Sequence, residues 1–360
     1  MAKVILCNTG SDANETLIKV SIQFYHEKKD KKRIFFIALV PSYHGALIGS
    51  LSLSGMPLRK GIYENWLMPN VHHIPACNPY RERLENETDE EFLNRKISEL
   101  EAKFQELGPD RVVAFIIEPV VGAALGCVTH VPGYLEAAKK VCHKYGALIA
   151  FDEIMCGIGR TGTMHAWQAE NVVPDIQTIA KGIGNGAQPI AAVLLSDKVA
   201  KTISDGSGIL RHGQTYENMP ITAAAAIEVL KILTEKDNKV LKNGAKQGLY
   251  LKESIINELS SHPHVGDIRG RGLFIGIEFV ADKLTKESFN QELSISANLL
   301  NLALSDPYNI GFYPGSGTND GYKGDHIMIS PPATVRKHEI DLIVNRVSAV
   351  VRYYFNKNNF

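Results

Sequence analysis

Apolar residues follow two rhythms along this chain. Short continuous runs at 4–7, 33–39, 112–117, 148–151, 175–180, 190–195 and 273–280 are each closed by turn-forming or charged residues. That pattern predicts short buried β-strands. Between them, apolar side chains recur at helical spacing: Leu17, Ile18, Ile22 and Tyr25, then Phe92, Ile97, Leu100, Phe104 and Leu107, then Leu135, Ala138, Val141 and Cys142. Helices are likewise expected at 221–233, at 240–259, at 294–303 and along Ile340, Ile343, Val347 and Val351. Pro132 is expected to open the third helix and Gly146 to stop it. Thr334 is expected to cap the last. Residues 55–87 are rich in Pro, Asn and Arg and read as a long irregular connection carrying short helices, because a structureless loop of that length is uncommon.

The ends of the strands carry the candidate chemistry. The run at 148–151 stops on Asp152 and Glu153, and the run at 175–180 stops on Lys181. In an open α/β sheet the C-terminal edge of the strands is where ligands bind. A lysine buried at that edge would have a lowered pKa and attack carbonyl groups; equally, Lys181 and Asp152 could be surface residues at strand ends. After the first strand, Thr9-Gly10-Ser11 stands at a helix N-terminus. Its free amides could hold an anion, or Ser11 or Asp12 could simply cap the helix. Tyr43-His44-Gly45 follows the second strand and Glu118-Pro119 follows the strand at 112–117.

Other features narrow the choice. Gly157, Gly159 and Gly162 match G-x-G-x-x-G but come after a late strand with no helix start behind them. They read as a turn and not as a dinucleotide site. His72 and His73 form no metal pattern with nearby acids, and no metal site is expected. The 360 residues carry zero formal net charge, which gives no reason to expect nucleic acid or an anionic membrane as partner. The five cysteines are scattered without a CxxC pair, so they are expected to be free thiols in a reducing compartment. With no leader and no membrane-spanning run, the expected location is the cytoplasm.

Taken together, DEIMCGIGRTG and PDIQTIAKGIGNGAQPIAAVL resemble the class III (omega) aminotransferases, pyridoxal 5'-phosphate (PLP) enzymes of fold type I. The resemblance covers nearly the whole chain but not the N-terminal segment that members of this family carry before the first strand. It implies a large domain at 1–240, with a mostly parallel seven-stranded sheet, and an α+β small domain at 241–360. It implies an amino transfer from an amine or omega-amino acid to a keto acid, pyruvate foremost, through a Schiff base on Lys181. Decarboxylation, amino-group migration and a non-catalytic homologue are the alternatives. Asp152 is implied to pair with the ring nitrogen. Thr9, Gly10 and Ser11 (TGSDAN where relatives have SGSEAN) would hold the phosphate, and Tyr43 would stack on the ring. His44, Glu118 and Ile154 would border the cofactor. Thr215 would reach the cofactor of a second subunit, making a homodimer with shared sites. Lys323 stands where many relatives place an arginine for a substrate carboxylate. Met155 replaces a glutamine, which points to amine or omega-amino-acid donors.

Overall fold

The computed structural model describes residues 1–358. Its larger sheet contains seven strands: β1 Lys3–Cys7, β2 Phe35–Val40, β3 Val71–Pro75, β4 Val112–Ile117, β5 Leu148–Asp152, β6 Ile176–Ile179 and β7 Ala191–Leu195. Their order across the sheet is β1-β7-β6-β5-β4-β2-β3. All run parallel except β7, which pairs antiparallel with both neighbours. One edge of the sheet therefore gathers the C-terminal ends of β1, β2, β4, β5 and β6.

Both faces of this sheet are covered, so its strands are apolar throughout. Every residue of β4 is buried. Side chains of β5 alternate between the two faces. Ile149 and Phe151 pack with Phe92, Leu100 and Phe104 of α2 (Asp89–Leu107) and with Leu135 and Ala138 of α3 (Tyr134–Lys144). Leu148 and Ala150 pack with Leu17, Ile18 and Phe24 of α1 (Gly10–Glu27) and with Val199 and Ile203 of α4 (Asp197–Asp205). Each fully buried Leu, Ile or Phe contributes roughly 1.5–3 kcal/mol.

The following helix, α5 Pro220–Leu259, leaves helical geometry at 235–238, so the two helices expected at 221–233 and 240–259 are present with a break between them. A second, four-stranded antiparallel sheet comprises β8 Val265–Arg271, β9 Phe274–Phe279, β10 Tyr313–Ser316 and β11 Asp325–Ile329, in the order β8-β9-β11-β10. Its core joins Ile275, Ile277 and Ile327 to Leu251, Ile255 and Leu259 of α5, Leu299 of α6 (Ile295–Ala303), and Ile340, Val347 and Val351 of α7 (Lys337–Lys357).

Two expected helix starts are displaced. The third helix begins at Tyr134, because Gly133 at its N-cap is left-handed (φ 86°) and Pro132 falls in the preceding turn. The last begins at Lys337 with Arg336 as N-cap, whose amide donates to the Glu339 carboxylate at 2.8 Å. Thr334 lies in the turn before it. The connection at 55–87 carries short helices (Pro57–Lys60 and a 3-10 turn at Gly61–Trp66), and it also contains β3, where His72 and His73 are ordinary strand residues. Among the described residues, no helix is long and apolar enough to cross a membrane and no group of three or more His, Cys, Asp or Glu could hold a metal ion. All five cysteines are free and buried.

Candidate active site

The C-terminal edge of the parallel strands opens into a cavity of about 480 Å³. Asn8, Thr9, Gly10 and Ser11 reach it from the end of β1, Tyr43, His44 and Gly45 from β2, Glu118 from β4, Asp152 and Ile154 from β5, and Lys181 from β6. Nine of the eleven candidate residues named from the sequence, or from the family resemblance, thus depend on five separate strands for their meeting.

Asp152 is the most constrained of them. It is 3% exposed, and its Oδ2 accepts from His44 Nδ1 at 2.8 Å and from Asn14 Nδ2 at 2.8 Å. Its Oδ1 accepts from the Ile154 amide at 3.0 Å. Burial alone pulls the His44 pKa down, but the hydrogen bond to Asp152 and the charges of Asp152 and Glu118 outweigh it, and the pKa ends above its ordinary value. The other ring nitrogen of His44, Nε2, is buried without a hydrogen-bond partner. Glu118 is buried too; its oxygens accept from the Tyr43 and Gly122 amides, each at 3.0 Å. Burial raises its pKa, against the opposing charge of His44.

At the mouth of α1, Thr9 is the N-cap, in a reciprocal capping box with Asp12. The cap leaves two donors over: the box uses the amides of Thr9 and Asp12, while those of Gly10 and Ser11 find no acceptor among the described residues. A Cβ on Gly10 would stand 2.9 Å from Ile154 Cδ1, so glycine keeps this floor open. Ser11 Oγ accepts from the Ala46 amide at 3.0 Å and ties the turn to the segment after Gly45.

Asp152 is buried, but Lys181 follows the surface reading. It is exposed, because the chain puts no wall over this side of the cavity, and its ammonium makes no hydrogen bond or ion pair among the described residues. Its backbone is left-handed (φ 45°), an uncommon conformation for a non-glycine residue. Thr215 is exposed and does not line the cavity of its own chain. Lys323 is carried away from the cavity. The turn in which Asn319 donates to the Lys323 carbonyl leaves it in a separate surface depression with Arg81 and Lys286. The glycine-rich stretch is a turn, with Gly159 and Gly162 at positive φ.

Two residues outside that set support the site. Asn14 is wholly buried, and its polar side chain on the same helix face as Leu17, Ile18 and Ser21 was the available signal. Glu153, beside Asp152, accepts from the amides of Ala166 at 2.6 Å and Trp167 at 2.9 Å and anchors the glycine turn. Burial pushes its pKa up to about 7.

His130 supports β4 from behind. Its Nε2 lies 2.9 Å from the Glu118 carbonyl, and burial pulls its pKa down to about 4. The unfolded chain therefore takes up a proton near pH 6.5 that the folded chain refuses, so stability present above that pH is lost as pH falls toward 4. Between pH 7.5 and pH 5 this group alone removes about 2 kcal/mol. Urea midpoints at the two pH values should therefore fall less for His130→Gln than for the wild type. Equal losses in both would rule this out.

The family profile described as aminotransferase class-III matches residues 2–351. An aminotransferase of Gibberella zeae is 44% identical over 354 residues, 98% of this chain and 69% of that protein. The gamma aminobutyrate transaminase 3, chloroplastic, of Solanum lycopersicum is 34% identical, over 96% of this chain and 64% of its own length. The crystal structure of the omega transaminase from Pseudomonas jessenii in complex with PMP superposes with a TM-score of 0.91 at 32% identity, covering 99% of this chain and 76% of that one. With the profile spanning both sheets, this chain belongs to the class III aminotransferases, enzymes of PLP-dependent fold type I that use pyridoxal phosphate to move amino groups.

Proposed function

We propose that Lys181 and Asp152 are the catalytic pair, and that the enzyme moves an amino group from an amine or omega-amino acid to a keto acid, pyruvate foremost. The observation that carries the reading is the convergence of Asp152, Lys181 and the free amides of Gly10 and Ser11 on one cavity. The cofactor fits these residues. The Gly10 and Ser11 amides at the positive end of α1 suit its phosphate. Tyr43 and Ile154 offer apolar surfaces for its ring, with His44 fixing the Asp152 carboxylate and Glu118 the Tyr43 amide, and Thr9 holds the turn.

When bound, pyridoxal phosphate supplies an aldehyde that condenses with amines and a protonated ring that withdraws electrons. Asp152 keeps the ring nitrogen protonated through a charge-assisted hydrogen bond. The Lys181 Nζ would hold the cofactor's aldehyde end. As a free amine the same Nζ would serve as base and then as acid for the proton that the amino transfer moves. Met155 lines the cavity next to Lys181 with an apolar thioether, which favours donors without a charged group at that position. The gamma aminobutyrate transaminase among the relatives supports the omega-amino-acid assignment. We test it by adding gamma-aminobutyrate, a benzylic amine or L-aspartate to the cofactor-loaded protein. The first two should bleach the cofactor's visible band and restore it with pyruvate. Bleaching by aspartate alone would overturn the donor assignment.

A homodimer completes the proposal. Beside the site lies an apolar cavity of about 420 Å³ lined by Val4, Leu6, Ile179, Ile183, Leu194 and Ile227 among others, and Ile221 and Ile227 on α5 are more than half exposed. A second copy would cover this face, shield Lys181 and bring its Thr215 to the phosphate. Sedimentation should give twice the chain mass, and mixing Lys181→Ala with Thr215→Ala chains should regain one intact site per dimer. A monomer that turns over would overturn it. The division at 240/241 and a cytoplasmic location belong to the same reading. The second sheet has its own hydrophobic cluster, and five free thiols suit a reducing compartment.

A further inference from the structure

Asp152 receives its hydrogen bonds from three different elements, and one donor also orients a second. The Asn14 side-chain amide donates to Asp152 Oδ2 at 2.8 Å and to the His44 carbonyl at 2.6 Å. Its own oxygen accepts from Thr178 Oγ1 at 3.2 Å. Asn14, Thr178, His44 and Asp152 are all buried. Thr178 sits directly opposite Asp152 in the β5–β6 register, so the hydroxyl is fixed by strand pairing. Two acceptors face the amide nitrogen and one donor faces the amide oxygen, which leaves a single orientation for the side chain.

We propose that Asn14 is a positioning residue: oriented by Thr178, it locks the Asp152 carboxylate and the backbone of His44 into the geometry that the cofactor ring nitrogen requires. The proposal rests on Asp152 being that nitrogen's partner. Two constraints meet in one side chain. Holding Asp152 Oδ2 between Asn14 and His44 leaves Oδ1, which accepts only the Ile154 amide, to face the cavity. Holding the His44 carbonyl fixes the turn that carries Tyr43. Helix α1 thus presents backbone amides at its first turn and, one turn later, a side chain on the catalytic carboxylate.

The discriminating substitution is Asn14→Asp, which preserves shape and reverses polarity. Its new oxygen would face two acceptors, and only a proton shared with Asp152 relieves the clash. Outer contacts of this kind typically change affinity or activity about 10- to 100-fold. For the protein loaded with pyridoxal phosphate, kcat should fall by that factor while donor KM changes less than about twofold, and the visible band should shift or weaken. Thr178→Val, which only frees the amide to rotate, should move the spectrum and kcat the same way by a few-fold. It decides the question if Asn14→Asp does not fold. A band and kcat within twofold of wild type in the folded variant, or a lowered thermal midpoint alone, would overturn the proposal. If the wild type itself shows no band with the cofactor, the assignment of Asp152 and Lys181 fails first.

Discussion

Lys181→Ala should leave a protein that folds as well as the wild type and has lost at least about 10⁴ in turnover. Both halves follow from the surroundings of this side chain. It is exposed, and its ammonium has no hydrogen bond or ion pair among the described residues, so its removal deletes no packing. Surface substitutions of that kind stay within about 0.5 kcal/mol. A positioned acid–base group is worth about 10² to 10⁴ in rate, and the same amine is also the proposed nucleophile. Lys181→Arg should be no better, since a guanidinium does not give up its proton. A small primary amine added to the alanine variant should restore part of the proton transfer. Thermal midpoint, borohydride-sensitive visible absorbance and turnover check the three claims. Turnover within tenfold of wild type would remove Lys181 from the mechanism.

The second large effect concerns stability and lies away from the cavity. Glu278 on β9 is fully buried between two arginines, 2.6 Å from the Arg81 guanidinium and 2.5 Å from Arg269 Nη1. Arg269 also pairs with Asp267 at 3.0 Å and donates through Nε to the Gly126 carbonyl at 2.9 Å and through Nη2 to that of Leu125. The cluster ties the segments around residues 81 and 125 to the second sheet. Burial would lower the Arg269 pKa, but Glu278 and Asp267 outweigh it and raise it. An arginine side chain is not deprotonated in a protein, so Glu278→Ala takes the paired carboxylate from Arg81 and leaves Arg269 with Asp267 alone. Breaking a buried pair on one side costs about 3–5 kcal/mol. A urea titration should show that loss. Glu278→Ala with Arg269→Met should recover part of it, because an apolar replacement asks for no counter-charge. A single-variant cost below about 1 kcal/mol would mean that water reaches the cluster.

The pair of predictions separates what could be read along the chain from what could not. Strands β4 and β5, helix α2 and the break near residue 240 follow from local rhythm: continuous apolar runs on a sheet covered on both faces, period 3.6 on a one-sided helix, and turn residues between them. That Asp152 and Lys181 end neighbouring strands could also be read, because a charged residue closing an apolar run has nowhere to go but the sheet edge. Ordered motifs supplied the family. Helix starts were less legible: Pro132 and Thr334 are common openers, but Gly133 and Arg336 took the cap positions on backbone geometry that composition does not reveal.

Tertiary structure alone decided the rest. Asn14 and Asp152 are 138 residues apart, and Arg81 and Glu278 are 197 apart. No local period carries such contacts; they exist because strand order brings β5 and β6 beside α1 and because the second sheet folds back on the first. Exposure is equally non-local. Lys181, read from the sequence as either buried or at the surface, is exposed, because a strand buries its own residues and not the one beyond its end. Lys323 stands beside a matching motif, yet its turn points it elsewhere. Residue type and spacing determined which groups reach the edge of the sheet. Long-range packing determined which of them touch, because contact depends on the paths of segments far apart in the chain.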